Sequence, residues 1–269
     1  MSQVDRVDSS EPVVRISREH DSVALLHFNR PPANSYNKEF IDSLNAAIDE
    51  VRFDESIKAV VMVSDLPRFF SAGADVNMFM TTSAALRTMI ILHAHETLLK
   101  LERTPKVVIA AIGGHALGGG LEIALAADFR FAAEGEYRIG VPEVTLGLLP
   151  GNGGTQRLPR LVGGQKALEL LLTGKPLNAD QALELGLVDR VVPADQLTAN
   201  AVEFAASLAS GPTLAIGNIK TAAKQGVEMS LDGGLSLERE AIGRLFASRD
   251  ATEGLTAFLN KRQPSWSGE

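Results

Sequence analysis

The chain of 269 residues contains no cysteine. Disulfides, thiolate nucleophiles and Cys-ligated zinc are excluded at once. Aromatic residues are also scarce, at 5% with a single Trp, and Trp266 and Tyr137 stand alone with no stacking pattern. An excess of positive charge is missing too. With 26 Lys and Arg against 33 Asp and Glu, the formal net charge is −7, which offers no field to draw a polyanion such as nucleic acid or an anionic membrane surface. A small anionic ligand is not excluded, because a local cluster of Lys and Arg can hold one inside an acidic protein. No apolar run approaches the ~20 residues that span a bilayer; the run around Met89–Leu92 is cut by His93 and His95. Residues 1–11 are polar and hold no apolar stretch of signal-peptide type. The expectation is a cytoplasmic protein with no membrane insertion and no nucleic-acid partner.

What is present is ordinary for a chain with a substantial core: 45% hydrophobic and 22% charged residues. Val13–Ser17 and Val23–Phe28 read as a β-hairpin, and Pro31-Pro32 places a loop over Asn29–Asn34. From Lys38 the apolar residues Phe40, Ile41, Leu44, Ala47, Ile48 and Val51 recur with helical spacing. Ala59–Val63 and Val107–Ile112 are continuous apolar runs, Val/Ile-rich and too short for helices, which reads as buried parallel strands; Phe129–Ala133 is a third. Helices over about Ser83–Leu101 and Gly119–Ala126 alternate with them, the pattern of an α/β fold. Beyond Pro193 only helices are expected, over Asp195–Ala209, Pro212–Gln225, Leu231–Ser248 and Ala251–Asn260. The division is a tail over 1–12, an α/β core over 13–200 and a helical segment over 201–269. No internal repeat is evident.

Three glycine-bearing segments follow these strands: Phe69–Asp75, Gly113–Glu122, and Val141–Glu143 running on to Pro150–Thr155. Gly118-Gly119-Gly120 just before a helix lets a ligand approach the backbone, and free N–H groups there favour negative charge. That is the logic of an oxyanion hole, although a tight turn with close helix packing would use the same residues. Dinucleotide and P-loop spacings are absent, since Gly174-Lys175 is followed by Pro176. Glu122 falls in the first turn of the helix, where an acid commonly interacts with the dipole, and Glu143 follows Pro142 in a short link. Held close together, two carboxylates would divide into a proton donor and a proton acceptor. Spacing alone does not bring them together.

The blocks Ser71-Ala72-Gly73-Ala74-Asp75, Gly118-Gly119-Gly120-Leu121-Glu122 and Pro142-Glu143 with Pro150-Gly151-Asn152-Gly153-Gly154-Thr155 resemble successive signatures of the crotonase superfamily of enoyl-CoA hydratases and isomerases. Phe258, Lys261, Arg262 and Pro264 resemble its C-terminal motif. The resemblance implies a spiral of ββα turns with a C-terminal helical trimerisation segment, a homotrimer or a hexamer of paired trimers, an acyl-CoA substrate and no further cofactor or metal. It implies reversible addition of water across the 2,3 double bond of a 2-enoyl-CoA, of the kind used in fatty acid β-oxidation. Glu122 would draw a proton from one water, and Glu143 would supply a proton to C2. Ala72 and Gly119 N–H groups would form the oxyanion hole. Ala72, Gly73, Ala74, Asp75, Gly118, Pro142, Gly151 and Lys261 would contact substrate or CoA.

Both glutamates, with the uncharged Gly151 and Asn152, favour a hydratase over a double-bond isomerase or a lyase on another acyl-CoA. A non-catalytic or RNA-binding member is disfavoured by the acidic composition. Two places depart from the family pattern: Ser35-Tyr36-Asn37 in the first loop, and Val76-Asn77-Met78, where many relatives carry a lysine near the CoA. His93 and His95, two residues apart, point to different sides of a helix and make a poor metal pair. His115 is read as a packing or turn residue. Phe79, Met80, Leu86 and Met89 would suit an acyl chain, and equally a core.

Overall fold

The computed structural model describes residues 12–269; the tail expected over 1–12 lies outside them except for Pro12. Strands β1 (Val14–His20) and β2 (Val23–Phe28) form the expected antiparallel hairpin. Helix α1 (Lys38–Phe53) starts where the Asn37 side chain accepts from Phe40 N–H, satisfying one of the orphan donors of the first turn. Its buried residues are the six apolar positions of the 3.6-residue pattern.

The chain then winds through three similar turns. The first is β3 (Ala59–Ser64), β4 (Phe69–Ser71), α2 (Val76–Thr81) and α3 (Ala84–Arg103). The second is β5 (Val107–Ile112), β6 (His115–Leu117) and α4 (Gly119–Leu125); the third is β7 (Phe129–Ala133), β8 (Ile139–Gly140) and a 3-10 turn, Pro142–Leu146. Helices α5 (Gly154–Val162), α6 (Gly164–Thr173) and α7 (Ala179–Leu185) lead to β9 (Arg190–Val192). The first strand of each turn joins a six-stranded sheet, β1-β2-β3-β5-β7-β9, and the second joins a three-stranded sheet, β4-β6-β8. From β2 onward every strand pairing is parallel. This is the ββα spiral of the crotonase fold. The sequence shows no repeat because the repeat lies in the backbone path, while each turn carries different side chains. Strands of two or three residues are also too short to register as alternation.

Strand β5 is buried along its whole length and β3 up to Ser64. Phe28 lies 5.2 Å from Phe40 and 5.3 Å from Phe70, tying α1 and the small sheet to the large one; each such pair contributes about 0.5–1.5 kcal/mol beyond area burial. Helix α8 (Leu197–Ala209) buries Leu197, Ala201, Ala205 and Ala209 at four-residue spacing, and its alanines let it lie against β2, β3, β5 and β7. The core therefore draws on a helix that crosses residue 200. Helices α9 (Thr213–Gly226), α10 (Leu231–Phe246) and α11 (Arg249–Leu259) differ. Asp128 pairs with Lys220 at 2.8 Å and Lys224 at 2.7 Å, anchoring α9. Val227, Leu231, Phe246, Phe258 and Leu259 stay exposed.

Candidate active site

The small sheet sets three turns side by side: the one after β4, the one between β6 and α4, and the one after β8. A Cβ on Gly73 would stand 3.0 Å from Gly119 N, so the first two turns touch through their backbones. Gly118 has φ +54 and donates its N–H to Gly140 O at 2.8 Å. A Cβ on it would fall 2.7 Å from Glu143 Oε1, and one on Gly119 would fall 2.1 Å from Tyr36 Cε1. Gly118 and Gly119 are thus demanded by a carboxylate and a phenol ring that occupy the space of side chains, and Gly120 by the Ser71 carbonyl.

Glu122 is 1% exposed. Its Oε1 accepts N–H groups from Asn152 and Gly154, both at 2.7 Å. Burial raises its pKa, while those two donors and the nearby Arg157 charge oppose the rise. Arg157 is held by Glu102 at 2.9 Å and itself donates to Asn152 O at 3.0 Å. Glu143 opens the 3-10 turn behind Pro142. Its Oε2 is buried and has no hydrogen-bond partner among the described residues. Burial first, with the Glu122 charge adding to it, pushes the Glu143 carboxyl up to about 7. Glu143 thus lies against the glycine turn that leads into the helix of Glu122, near enough to feel its charge, which spacing alone did not establish. Glu122 has two N–H donors on one oxygen, yet burial still leaves its pKa raised; a backbone N–H opposes the rise at Glu143, whose Oε2 has no partner among the described residues.

One expected role is corrected. Ala72 N–H donates to Ala33 O at 2.9 Å, so it is spent on holding the first loop and does not face a ligand. Two residues on, Tyr36 N–H donates to Gly73 O and Asp75 N–H to Tyr36 O. This leaves Ala74 N–H without a partner among the described residues, and Gly119 N–H likewise at the start of α4. Asp75 caps α2 and pairs with Arg30 at 3.1 Å. Gly151 O accepts from His95, while His93 turns to Asp42 at 3.0 Å, so the two histidines do diverge. His115 accepts the Arg138 N–H at 3.1 Å and packs tilted against Phe69, with ring centroids 5.2 Å apart. Lys261 sits exposed on the turn after α11 with φ +51. Met80, Met89, Leu146, Leu148 and Leu149 are exposed rather than part of the core.

Sequence reasoning missed Tyr36, Asn152, Gly154 and Arg157 as parts of the site. Their signal was the departure at Ser35-Tyr36-Asn37 and the glycines around Asn152. A cavity of about 650 Å³ lies behind this turn, reaching Gly153 and Arg157 but neither glutamate. Most of its cations are already paired with acids, so the carboxylate geometry, not this hollow, marks the site. No described helix is long and apolar enough to cross a membrane.

The spiral thus carries one buried and one half-buried carboxylate beside its glycine turns. Residues 18–269 match the family described as enoyl-CoA hydratase/isomerase. The chain belongs to that family, within the crotonase superfamily, and is an enzyme of the enoyl-CoA hydratase type. It is 38% identical over 252 residues to a crotonyl-CoA hydratase of Syntrophomonas wolfei, covering 93% of this chain and 96% of that protein. It is 36% identical to a short-chain-enoyl-CoA hydratase of Clostridium acetobutylicum, covering 92% and 95%. Among solved structures, one from Geobacillus kaustophilus is 46% identical, with a TM-score of 0.94 and coverage of 96% and 98%. An enoyl-CoA hydratase from Bacillus anthracis is 36% identical, with a TM-score of 0.91 and coverage of 96% and 100%.

Proposed function

We propose that the enzyme adds water reversibly across the 2,3 double bond of a 2-enoyl-CoA to give the 3-hydroxyacyl-CoA. The observation that carries this reading is a buried Glu122 with two N–H donors on one oxygen beside a half-buried Glu143 whose Oε2 has no partner among the described residues. Glu122, its Oε1 occupied by two N–H groups, takes a proton from a water molecule through its remaining oxygen. The water oxygen bonds to C3 and the π electrons move onto the thioester oxygen. The N–H groups of Gly119 and Ala74 receive that developing negative charge; loss of one such donor typically costs ~3–4 kcal/mol. Glu143 gives its proton to C2, and the enolate collapses back to the thioester. Glu122 ends protonated and Glu143 ionised, and proton exchange with solvent resets the pair. No metal or redox step is called for by this balance.

The exposed apolar side chains Met80, Met89, Leu146, Leu148 and Leu149 suit an acyl chain. Two relatives named for crotonyl-CoA and short-chain enoyl-CoA support a short acyl group. The apolar surface of α10 and α11 supports a homotrimer or hexamer, with Lys261 reaching the CoA phosphates of a neighbouring site. Loss of the enoyl-thioester absorbance with crotonyl-CoA tests the reaction, and light scattering on the eluting protein tests the assembly. Acyl-CoA binding without hydration at any chain length would move the reading to an isomerase or lyase.

A further inference from the structure

We propose that Tyr36 is a positioning residue for Glu122, acting through the side chain of Asn152; this rests on the reading of Glu122 as the base. Tyr36 is only 5% exposed. Its main chain is clamped by Gly73 O and Asp75 N–H at 2.9 Å each, and its ring fills the space beside Gly119. A phenylalanine would fill the same space. The hydroxyl oxygen adds a hydrogen bond that it accepts from the Asn152 side-chain Nδ2. Asn152 in turn presents its main-chain N–H to Glu122 Oε1 at 2.7 Å. One residue thus links the phenol to the carboxylate.

The peptide that carries that N–H is held at its carbonyl end by His95, which donates to Gly151 O; Tyr36 adds a second hold through the side chain. Asn152 is flanked by Gly151, Gly153 and Gly154, which leave the backbone free to rotate. Arg157 holds the Asn152 carbonyl at 3.0 Å, and Tyr36 holds its side chain. Asn152 Oδ1 has no partner among the described residues, so the phenol is the amide's one anchor there. Burial, followed by the charge of Glu122, keeps the phenol pKa far above its ordinary value, so it stays neutral beside the carboxylates. Removing the hydroxyl strands a buried amide and loosens the N–H on Glu122. A carboxylate that loses such a donor titrates at higher pH. The other charged or titratable groups facing Glu122 are Glu143 of the 3-10 turn and Arg157 of α5. Behind Arg157 stand its partner Glu102 and, on Gly151 O, His95, both of α3.

The test compares full-length wild type, Tyr36→Phe, Asn152→Ala and the double variant. Thermal melting checks folding, and kcat and KM for crotonyl-CoA are measured across pH. Glutamate 13C titration follows Glu122, whose signal is assigned by its loss in Glu122→Gln. In Tyr36→Phe, kcat is expected to fall about tenfold, as for a buried hydrogen bond left unmade, with KM within about twofold. The acid limb of kcat and the Glu122 titration should both move to higher pH. Asn152→Ala should do the same, and the double variant should be no worse than either. An unmoved Glu122 titration in Tyr36→Phe, or losses that simply add in the double variant, overturns the proposal. If Tyr36→Phe does not fold, an unmoved titration in Asn152→Ala overturns it. The titration decides even if wild type hydrates nothing, because it does not depend on turnover.

Discussion

Glu122 and Glu143 reach the same site from regions of opposite character. Glu122 stands in the first turn of α4, where every residue is buried and the glycines are fixed by what packs on them. Glu143 stands on a 3-10 turn whose neighbours Val144, Leu146, Leu148 and Leu149 are exposed. Both are pushed upward by burial. The difference lies in donors: two N–H groups on one oxygen of Glu122, and no partner at all for Glu143 Oε2 among the described residues. Identical side chains are thereby given different surroundings by the backbone around them.

The division is broken most directly by Glu122→Gln and Glu143→Gln. Each should lower kcat for crotonyl-CoA by about 10²–10⁴, read from the thioester absorbance of folded protein. A loss below tenfold in either variant would mean that the work is not shared. Next, Gly118→Ala places a methyl where φ is +54 and Glu143 Oε1 would be 2.7 Å away. At a typical overpacking cost of ~1–3 kcal/mol, kcat should fall about tenfold to a hundredfold. Gly147→Ala, with φ +69 but nothing within 4 Å, separates backbone strain from displacement of Glu143.

The pH dependence sharpens the contrast. With Glu143 near 7, hydration should decline above about pH 7 as the proton donor is lost. Stability follows the same group. Its folded pKa lies above the ordinary 4.5, so the folded state binds more protons between 4.5 and 7, and stability falls as pH rises through that window. Glu143→Gln should therefore be more stable than wild type above pH 7. An advantage of about 1–2 kcal/mol is expected, smaller than the full shift because the group is partly screened by solvent. The gap should close below pH 4.5 in denaturant titrations. The smallest effect belongs to a carboxylate left in water. Arg160→Ala, breaking the exposed pair with Glu228, should leave both the melting temperature and kcat unchanged, since exposed pairs are screened by solvent.

The long elements were legible because their signals are local. The buried face of α1 and the apolar runs of β3, β5 and β7 sit where periodicity and composition place them. Strands β4, β6 and β8 were not legible, since two or three residues carry no period, and they are the strands that assemble the site. Helix α5, with Pro159 inside it, also runs against a sequence signal. Ala72 and Ala74 illustrate the limit at atomic scale. Both are alanines in one glycine turn, yet the first donates its N–H to Ala33 O and the second has no N–H partner among the described residues.

By itself, the sequence determined an α/β chain without thiol chemistry, with glycine turns after its strands and two glutamates in blocks of a recognisable kind. Those properties follow from residue identity and near-neighbour spacing. Only the tertiary structure decided that the carboxylates meet, that Asn152 and Gly154 hold one of them, and that Tyr36 reaches the turn from 116 positions away. A pKa and a hydrogen-bond partner depend on which groups crowd together after folding, and that distance is not written in the order of the residues.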